Sequence, residues 1–370
     1  MHAAAPGLHH FLLSSGASAP ARQVRSTPEG RSCDLTDAIR RHYTVWCVNG
    51  RTYFRTGTVI VTDYSKQTVT KKHPDRGKIR DEINWYRSLP ADLTAFAPAL
   101  VNVLEDEQGY EMTLIPGPNL AELWVFGAQG WGFWEVVLNE AADTIRLLHA
   151  HPRQDAHDAG VAQRTMYVDK TLERLQLLEP AKDVTLPAAL WDGPRVDGKP
   201  LPGLLAVRDA LESRYDHSML AEPRPQTIIH GDFHFGNLFR LPQGRSVIMI
   251  DPRGSFAGPA AIHGDPVYDY LKLGHSIVGK YDQTSLGQVR ARYSGTDFSF
   301  TQDSLSSQDR PDWQAGTWIV GQLMTDHGLG VEDFNLGVSL LLLSLAALHG
   351  DPALQTTHLL RGLQLFGESF

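Results

Sequence analysis

Residues 227–239 read TIIHGDFHFGNLF, which sets His230, Asp232, His234 and Asn237 between two apolar runs. A polar group at the edge of a core costs roughly 1–3 kcal/mol if left unpaired, so four at this density need a task. Asp251 follows at the end of the next apolar run, SVIMI (246–250). Two carboxylates and a carboxamide oxygen on adjacent loops suit a hard cation. Mg2+ takes one or two protein carboxylates and completes its shell with phosphate oxygens. Asp232 is then free to orient a hydroxyl and accept its proton. The chemistry is that of phosphoryl transfer, where positioning and charge neutralisation do most of the catalysis.

The elements that must position these groups can be read from periodicity. Short β-branched and aromatic runs at Thr44–Val48, Thr58–Thr62 and Thr68–Lys72 are separated by turn residues at Asn49-Gly50 and Asp63–Lys66. They predict an antiparallel meander. Residues Lys78–Leu89 place Ile79, Ile83 and Tyr86 on one helical face, and Pro90 stops the helix. Pro98–Leu104 and Tyr110–Ile115 read as two further strands. After Pro116-Gly117 the pattern turns helical at Trp134–His151, Val168–Leu178 and Leu204–Leu220. The 227–250 hairpin interrupts it, and helices then run from Tyr268–Val278 to the C-terminus. The expected organisation is a loose extension over 1–34, a small lobe over 35–116 and a larger one over 117–370.

HGDFHFGN followed by IDPRG resembles the catalytic and metal loops of the aminoglycoside phosphotransferase and choline kinase family. That family pattern is His-Gly-Asp, four residues, Asn, then Ile-Asp after a short strand. IDPRGSF followed by GDPVYDYLKLGHSI is most similar to phosphotransferase-like proteins found with capsule and surface-polysaccharide genes. The resemblance implies a bilobal, protein-kinase-like α+β fold, with an N-terminal antiparallel sheet plus one helix and a mostly helical C-terminal lobe. It implies Asp232 as catalytic base and Asn237 and Asp251 as Mg2+ ligands. Asp269 would brace the catalytic loop through His230.

A kinase of this kind also needs a strand lysine for the α- and β-phosphates of ATP or GTP, and a helical glutamate to hold it. Lys71 and Lys72 end the third run, and Glu82 lies in the next helix. Strand alternation puts Val69 and Lys71 on one face; an apolar residue two before the lysine would floor an adenine pocket, which favours Lys71. Thr113, Leu114 and Ile115 fall where an interlobe hinge would read the adenine edge. The departure is the phosphate-covering loop: Asp63–Gln67 has no glycine, and Gly57 is the one nearby in that hairpin.

Across 370 residues the net charge is −8, which argues against a nucleic-acid surface. Cys33 and Cys47 are the only cysteines, so a reducing, cytoplasmic setting is expected. The run VSLLLLSLAAL (338–348) is too short to span a bilayer and reads as a core helix. The first residues lack the basic leader of a secretory signal. GHSIVGKY (274–281) nearly spells a phosphate loop, but it follows a helix and has Tyr281 where a metal-binding hydroxyl belongs. Gly279 reads instead as a helix cap. GDFH and GDPVYD approach the motifs of dinuclear metallophosphoesterases, with wrong spacing and order. An inactive kinase-like binding module is the third alternative, although no catalytic group is missing. The acceptor is expected to be a small hydroxylated molecule, with His234, Arg253, Lys170 and Arg174 near it. A sugar or sugar derivative, anionic by the charge of those residues, is favoured over an aminoglycoside.

Overall fold

A computed structural model describes residues 58–105, 108–153, 158–178, 186–241, 246–257, 261–302 and 311–369. The expected extension over 1–34, the strand at Thr44–Val48 and Gly57 lie outside them. Strands β1 (Val59–Asp63) and β2 (Thr68–Lys72) form a hairpin, followed by helix α1 (Arg76–Ser88), β3 (Leu100–Val103) and β4 (Gly109–Thr113). The sheet order is β1-β2-β4-β3, antiparallel at every pairing, with Lys71 opposite Ile60 on one side and Tyr110 on the other. The Asp75 carboxylate caps α1 by accepting the Lys78 amide at 3.1 Å. The helix buries Ile79, Glu82, Ile83, Trp85 and Tyr86, the apolar stripe read from the sequence with one carboxylate set into it.

The helical part begins with α2 (Leu120–Phe126) and α3 (Trp131–His149). Asn119 and Glu122 close a reciprocal capping box on α2. Then come α4 (Ala159–Arg164), a wider π-type turn over Thr165–Asp169, α5 (Lys170–Leu177), α6 (Ala189–Asp192), β5 (Arg195–Val196), β6 (Lys199–Pro200) and α7 (Leu204–Asp216). Strands β7 (Thr227–Ile228), β8 (Leu238–Arg240), β9 (Val247–Met249) and β10 (His263–Gly264) frame the motif. β8 pairs with β9 and β7 with β10, all antiparallel. Helices α8 (Val267–Ile277) and α9 (Tyr281–Ser285) follow, then β11 (Val289–Ser294), β12 (Asp297–Gln302), α10 (Asp312–His327), α11 (Val331–Ala346) and α12 (Pro352–Gly367).

Every residue of α8 is buried, as is α11 from Phe334 to Ala346. A helix apolar on all sides belongs in the middle of a core, and α11 sits there. Among the described residues no single helix is long and apolar enough to cross a membrane.

Three sequence expectations need correction. Helices do not run unbroken from Tyr268: β11 and β12 make a hairpin that joins β5 and β6 in a second four-stranded sheet, ordered β11-β12-β5-β6. VRARYS and DFSFTQ alternate with period two around Gly295, whose φ of 61° gives the turn. The helix expected over Leu204–Leu220 ends at Asp216 and is followed by a short 3-10 turn at Met219–Ala221. At 274–281 the left-handed residue is Lys280, with φ of 57°, rather than the glycine before it.

Candidate active site

Strand β2 and helix α1 bring one buried cation to two carboxylates. Lys71 is 1% exposed, and its Nζ lies 2.8 Å from Glu82 Oε2 and 3.1 Å from Asp251 Oδ1. Burial opposes a charge on Lys71, but the carboxylates of Asp251 and Glu82 outweigh it and raise its pKa. The Tyr110 hydroxyl, opposite Lys71 in the sheet, donates to Glu82 Oε2 at 2.9 Å. Lys72 faces outward and is exposed, so alternation along one strand separates the two lysines.

Helix α1 also reaches the motif directly. The Trp85 indole N–H donates to the Ile229 carbonyl at 2.8 Å, and the Asp251 amide donates to the Tyr86 hydroxyl at 3.3 Å. Glu82, Trp85 and Tyr86 are three and four residues apart, hence on one face. Gly254 has φ of 68°, and a Cβ there would lie 2.1 Å from the Asp81 carbonyl oxygen. Only glycine admits that approach between α1 and the loop after Asp251.

The loop between β7 and β8 is held mainly by its backbone. Asp269, on the first turn of α8, accepts the amides of His230 and Gly231, both at 2.7 Å. The brace expected through His230 thus uses its backbone and its neighbour's. The His230 ring donates from Nε2 to the Ile250 carbonyl at 2.9 Å, which leaves Nδ1 to accept the Asp232 amide at 3.3 Å. Burial pushes the His230 imidazole down to about 4, so the ring works neutral. Burial likewise raises Asp269 to about 7, against the two amides it accepts. Gly231 has φ of 76°, and a Cβ there would meet Arg253 Cβ at 2.8 Å.

Asp232 lies at the open side of this loop. Its Oδ1 is 2.8 Å from Lys272 Nζ, and Asn237 Nδ2 donates to its carbonyl at 3.0 Å and to Oδ2 at 3.3 Å. That donation leaves the Asn237 carboxamide oxygen as the atom able to ligate a cation. Asp251 retains 22% side-chain exposure and sits at φ of 56°, a left-handed conformation that a non-glycine residue adopts at a cost and that recurs at functional sites. Among the described residues no three His, Cys, Asp or Glu converge as a metal cage. A cation held here by Asn237 and Asp251 would therefore share its shell with phosphate oxygens, and the donor set fits Mg2+ on those terms.

The remaining candidates divide. His234 Nε2 lies 3.7 Å from Asp232 Oδ2, and its Nδ1 accepts the Gly236 amide at 3.1 Å. Lys170, the first residue of α5, reaches the Tyr268 hydroxyl at 3.1 Å. Arg253 follows Asp251 closely and donates its amide to the His230 carbonyl at 2.9 Å. Arg174, one turn further along α5 than Lys170, bonds elsewhere: its guanidinium donates to the Ser344 carbonyl of α11 at 3.2 Å. The Thr113 and Leu114 amides donate to the Ala99 and Gln67 carbonyls at 3.0 and 2.8 Å, so an adenine contact from these two residues would use their carbonyls. The glycine-free turn is closed on itself, since Asp63 Oδ1 takes the amides of Ser65 and Lys66 at 2.9 and 3.1 Å.

The sequence model of the phosphotransferase enzyme family (APH) matches residues 48–304. The chain belongs to that family. Among solved structures, it is similar to a choline/ethanolamine kinase family protein from Mesorhizobium loti at 13% identity, covering 90% of this chain and 94% of that one with a TM-score of 0.48. It is also similar to a glucosamine kinase bound to glucosamine, ADP and phosphate, at 13% identity, 92% and 86% coverage and a TM-score of 0.45. An ADP-bound aminoglycoside phosphotransferase gives 14% identity, 90% and 98% coverage and a TM-score of 0.45. No curated protein matches the chain significantly. At such identities none of these acceptors carries over.

In this phosphotransferase-family chain, several site residues escaped the sequence reading. Lys272 lies three residues after Asp269, so one helical turn carries both to the same loop; that spacing was the available signal. Trp85 and Tyr86 could have been found by the same rule from Glu82. Tyr110 needed the strand register. The metallophosphoesterase alternative finds no support: the phosphotransferase family model matches residues 48–304, and among the described residues no three His, Cys, Asp or Glu converge on a metal site.

Proposed function

We propose that the protein transfers the terminal phosphoryl group of ATP, or GTP, to a hydroxyl of a small molecule, a sugar or sugar derivative. The observation that carries this reading is the Lys71 ammonium, set between Glu82 of α1 at 2.8 Å and Asp251 at 3.1 Å. That contact joins a phosphate-holding lysine to the motif that bears Asp232. Residues 35–116 would be the nucleotide-binding lobe and 117–370 the catalytic and acceptor-binding lobe. Lys71 would hold the α- and β-phosphates, with backbone groups of Thr113 to Ile115 at the adenine edge. Asn237 and Asp251 would hold Mg2+, which when bound neutralises phosphate charge. Asp232 accepts the hydroxyl proton as the acceptor oxygen bonds phosphorus and the bond to the departing nucleoside diphosphate breaks. His230 and Asp269 keep the loop in register while this happens.

A small acceptor is favoured because only residues 252–266 separate Asp251 from α8, and β10 lies within them. A protein substrate would need an open segment there. The sugar reading rests on the resemblance of IDPRGSF and GDPVYDYLKLGHSI to proteins of surface-polysaccharide gene clusters. The test is ADP release against sugars, sugar phosphates, polyols and aminoglycosides, with the Asp232→Asn protein as blank. Mg2+-dependent release on a sugar supports the proposal, and release no higher than the blank on every acceptor overturns it. Turnover on aminoglycosides alone would move the acceptor to antibiotics and keep the phosphoryl transfer.

A further inference from the structure

Beside Asp232 lies a group of cations that the transfer as described does not use. Lys272, 8% exposed, sits 2.8 Å from Asp232 Oδ1. Lys170 bonds the Tyr268 hydroxyl at 3.1 Å and lies 5.2 Å from the centre of that ring. Tyr268, 1% exposed, sits one residue before Asp269 on α8. Arg253 is backbone-bonded to His230, and its Nε is buried with no hydrogen-bond partner among the described residues. The three charges act on one another's surroundings: Lys170, Lys272 and Arg253 together draw the Tyr268 hydroxyl down to about 7 in spite of its burial. Burial lowers Lys170 to about 8, with Arg253 and Lys272 adding to the effect.

Among the described residues neither Lys170 nor Arg253 has a carboxylate within ion-pair distance. Asp232 pairs with Lys272, and Asp269 is occupied by two amides. Asp232 must also serve the acceptor hydroxyl. Like charges gathered where water is scarce are costly unless an anion joins them. A tyrosine hydroxyl and two kinds of cation are also what a phosphate or carboxylate accepts hydrogen bonds from.

Resting on the reading of Asp232 as the base, we propose that the acceptor carries, besides the hydroxyl that is phosphorylated, an anionic group, a phosphate ester or a carboxylate, seated among Lys170, Lys272, Arg253 and the Tyr268 hydroxyl. The π-type turn over Thr165–Asp169 sets the start of α5, and therefore Lys170, against α8; such turns recur at functional sites. Tyr167 within that turn anchors it by donating to Asp265 at 2.7 Å. Of the residues expected near the acceptor, Lys170 and Arg253 join this group, and Lys272 and Tyr268 are added to it.

The test uses the full chain and matched acceptors: neutral hexoses, hexuronic acids and hexose phosphates. The expected result is kcat/KM at least about tenfold higher for one anionic class than for its neutral counterpart, the size of one lost charge-assisted hydrogen bond. Which class wins distinguishes phosphate from carboxylate. Lys170→Met and Tyr268→Phe should raise KM for the anionic acceptor by more than for its neutral counterpart and leave KM for ATP unchanged. Inorganic phosphate should inhibit competitively with the acceptor. Preference for neutral acceptors, or phosphate competing with ATP instead, overturns the proposal and assigns the cations to the nucleotide. Thermal-shift binding to the Asp232→Asn protein separates this from failure of the underlying reading. If ATP protects that protein but no hexose phosphate, hexuronic acid or phosphate does, the anion site falls and the phosphotransferase reading stands. If ATP does not protect it, both fall.

Discussion

Asp232 and Lys71 are the two residues on which the proposed chemistry turns, and they fail in different ways. Asp232→Asn removes a proton acceptor while keeping the shape and the Asn237 contact. Turnover should fall by ~10²–10⁴-fold with nucleotide affinity nearly intact, measured by ADP release and by ATP titration. Lys71→Met leaves the buried Glu82 with only the longer ion pair to Lys78, at 3.9 Å. Removing one partner of a buried pair typically costs about 3–5 kcal/mol, so denaturant unfolding should show a loss of that order, eased by the Tyr110 hydroxyl. The choice of Lys71 over Lys72 was readable from alternation, because one residue flips the face of a strand. Lys272 was not read, since its partner is set by where α8 docks rather than by the residues beside it. Arg174 shows the converse: it shares the helical run of Lys170 but bonds a core carbonyl, and charge alone gave no hint of that.

At the scale of elements, α1 is the part that ties the sheet to the motif. Its face at Glu82, Trp85 and Tyr86 touches Lys71, Ile229 and Asp251 in turn. Gly254→Ala puts a Cβ 2.1 Å from Asp81 O at a backbone with φ of 68°. The left-handed conformation alone costs roughly 1–2 kcal/mol, and the clash adds to it. The melting temperature should drop and KM for ATP should rise together, whereas a change remote from α1 would move only the first. Helix periodicity made α1, α3 and α8 legible to within a few residues. The β11–β12 hairpin was missed because its alternation lies between strong helices, and β5 and β6, two residues each, carry too short a pattern to announce the sheet they complete.

For the molecule as a whole, burial of neutral histidines sets the response to acid. Burial lowers His149 and His358 to about 3 and His230 to about 4, each from 6.5, and lowers His275 well below 6.5. A group whose folded pKa is depressed gives stability that is complete above its unfolded value and lost as pH falls toward the folded one. Unfolding free energy should therefore be level just above pH 6.5 and decline toward pH 4. Asp269, raised to about 7 from 3.8, acts in the opposite sense through the same window, as do Glu82 and Asp282, while His327 and His263, also lowered by burial, add to the histidine side. A denaturant midpoint that holds steady from pH 7 to 4 would contradict this. The bilobal plan was legible because its motifs have fixed order and spacing, whereas the packing that places four histidines out of reach of water was not.

In the ligand-free cleft the Lys71 ammonium is shared between Glu82 and Asp251. Nucleotide phosphates on Lys71 and a divalent cation on Asp251 would tie strand β2 and the motif loops to one ligand. Ligand at a hundredfold its Kd adds about 2.7 kcal/mol to stability, and local opening slows accordingly. The survival time of the protein against a protease should thus lengthen with ATP and Mg2+ together and much less with either alone. In a cell, the amount of the enzyme would then follow the energy state of its surroundings, through how long each copy lasts rather than how many are made.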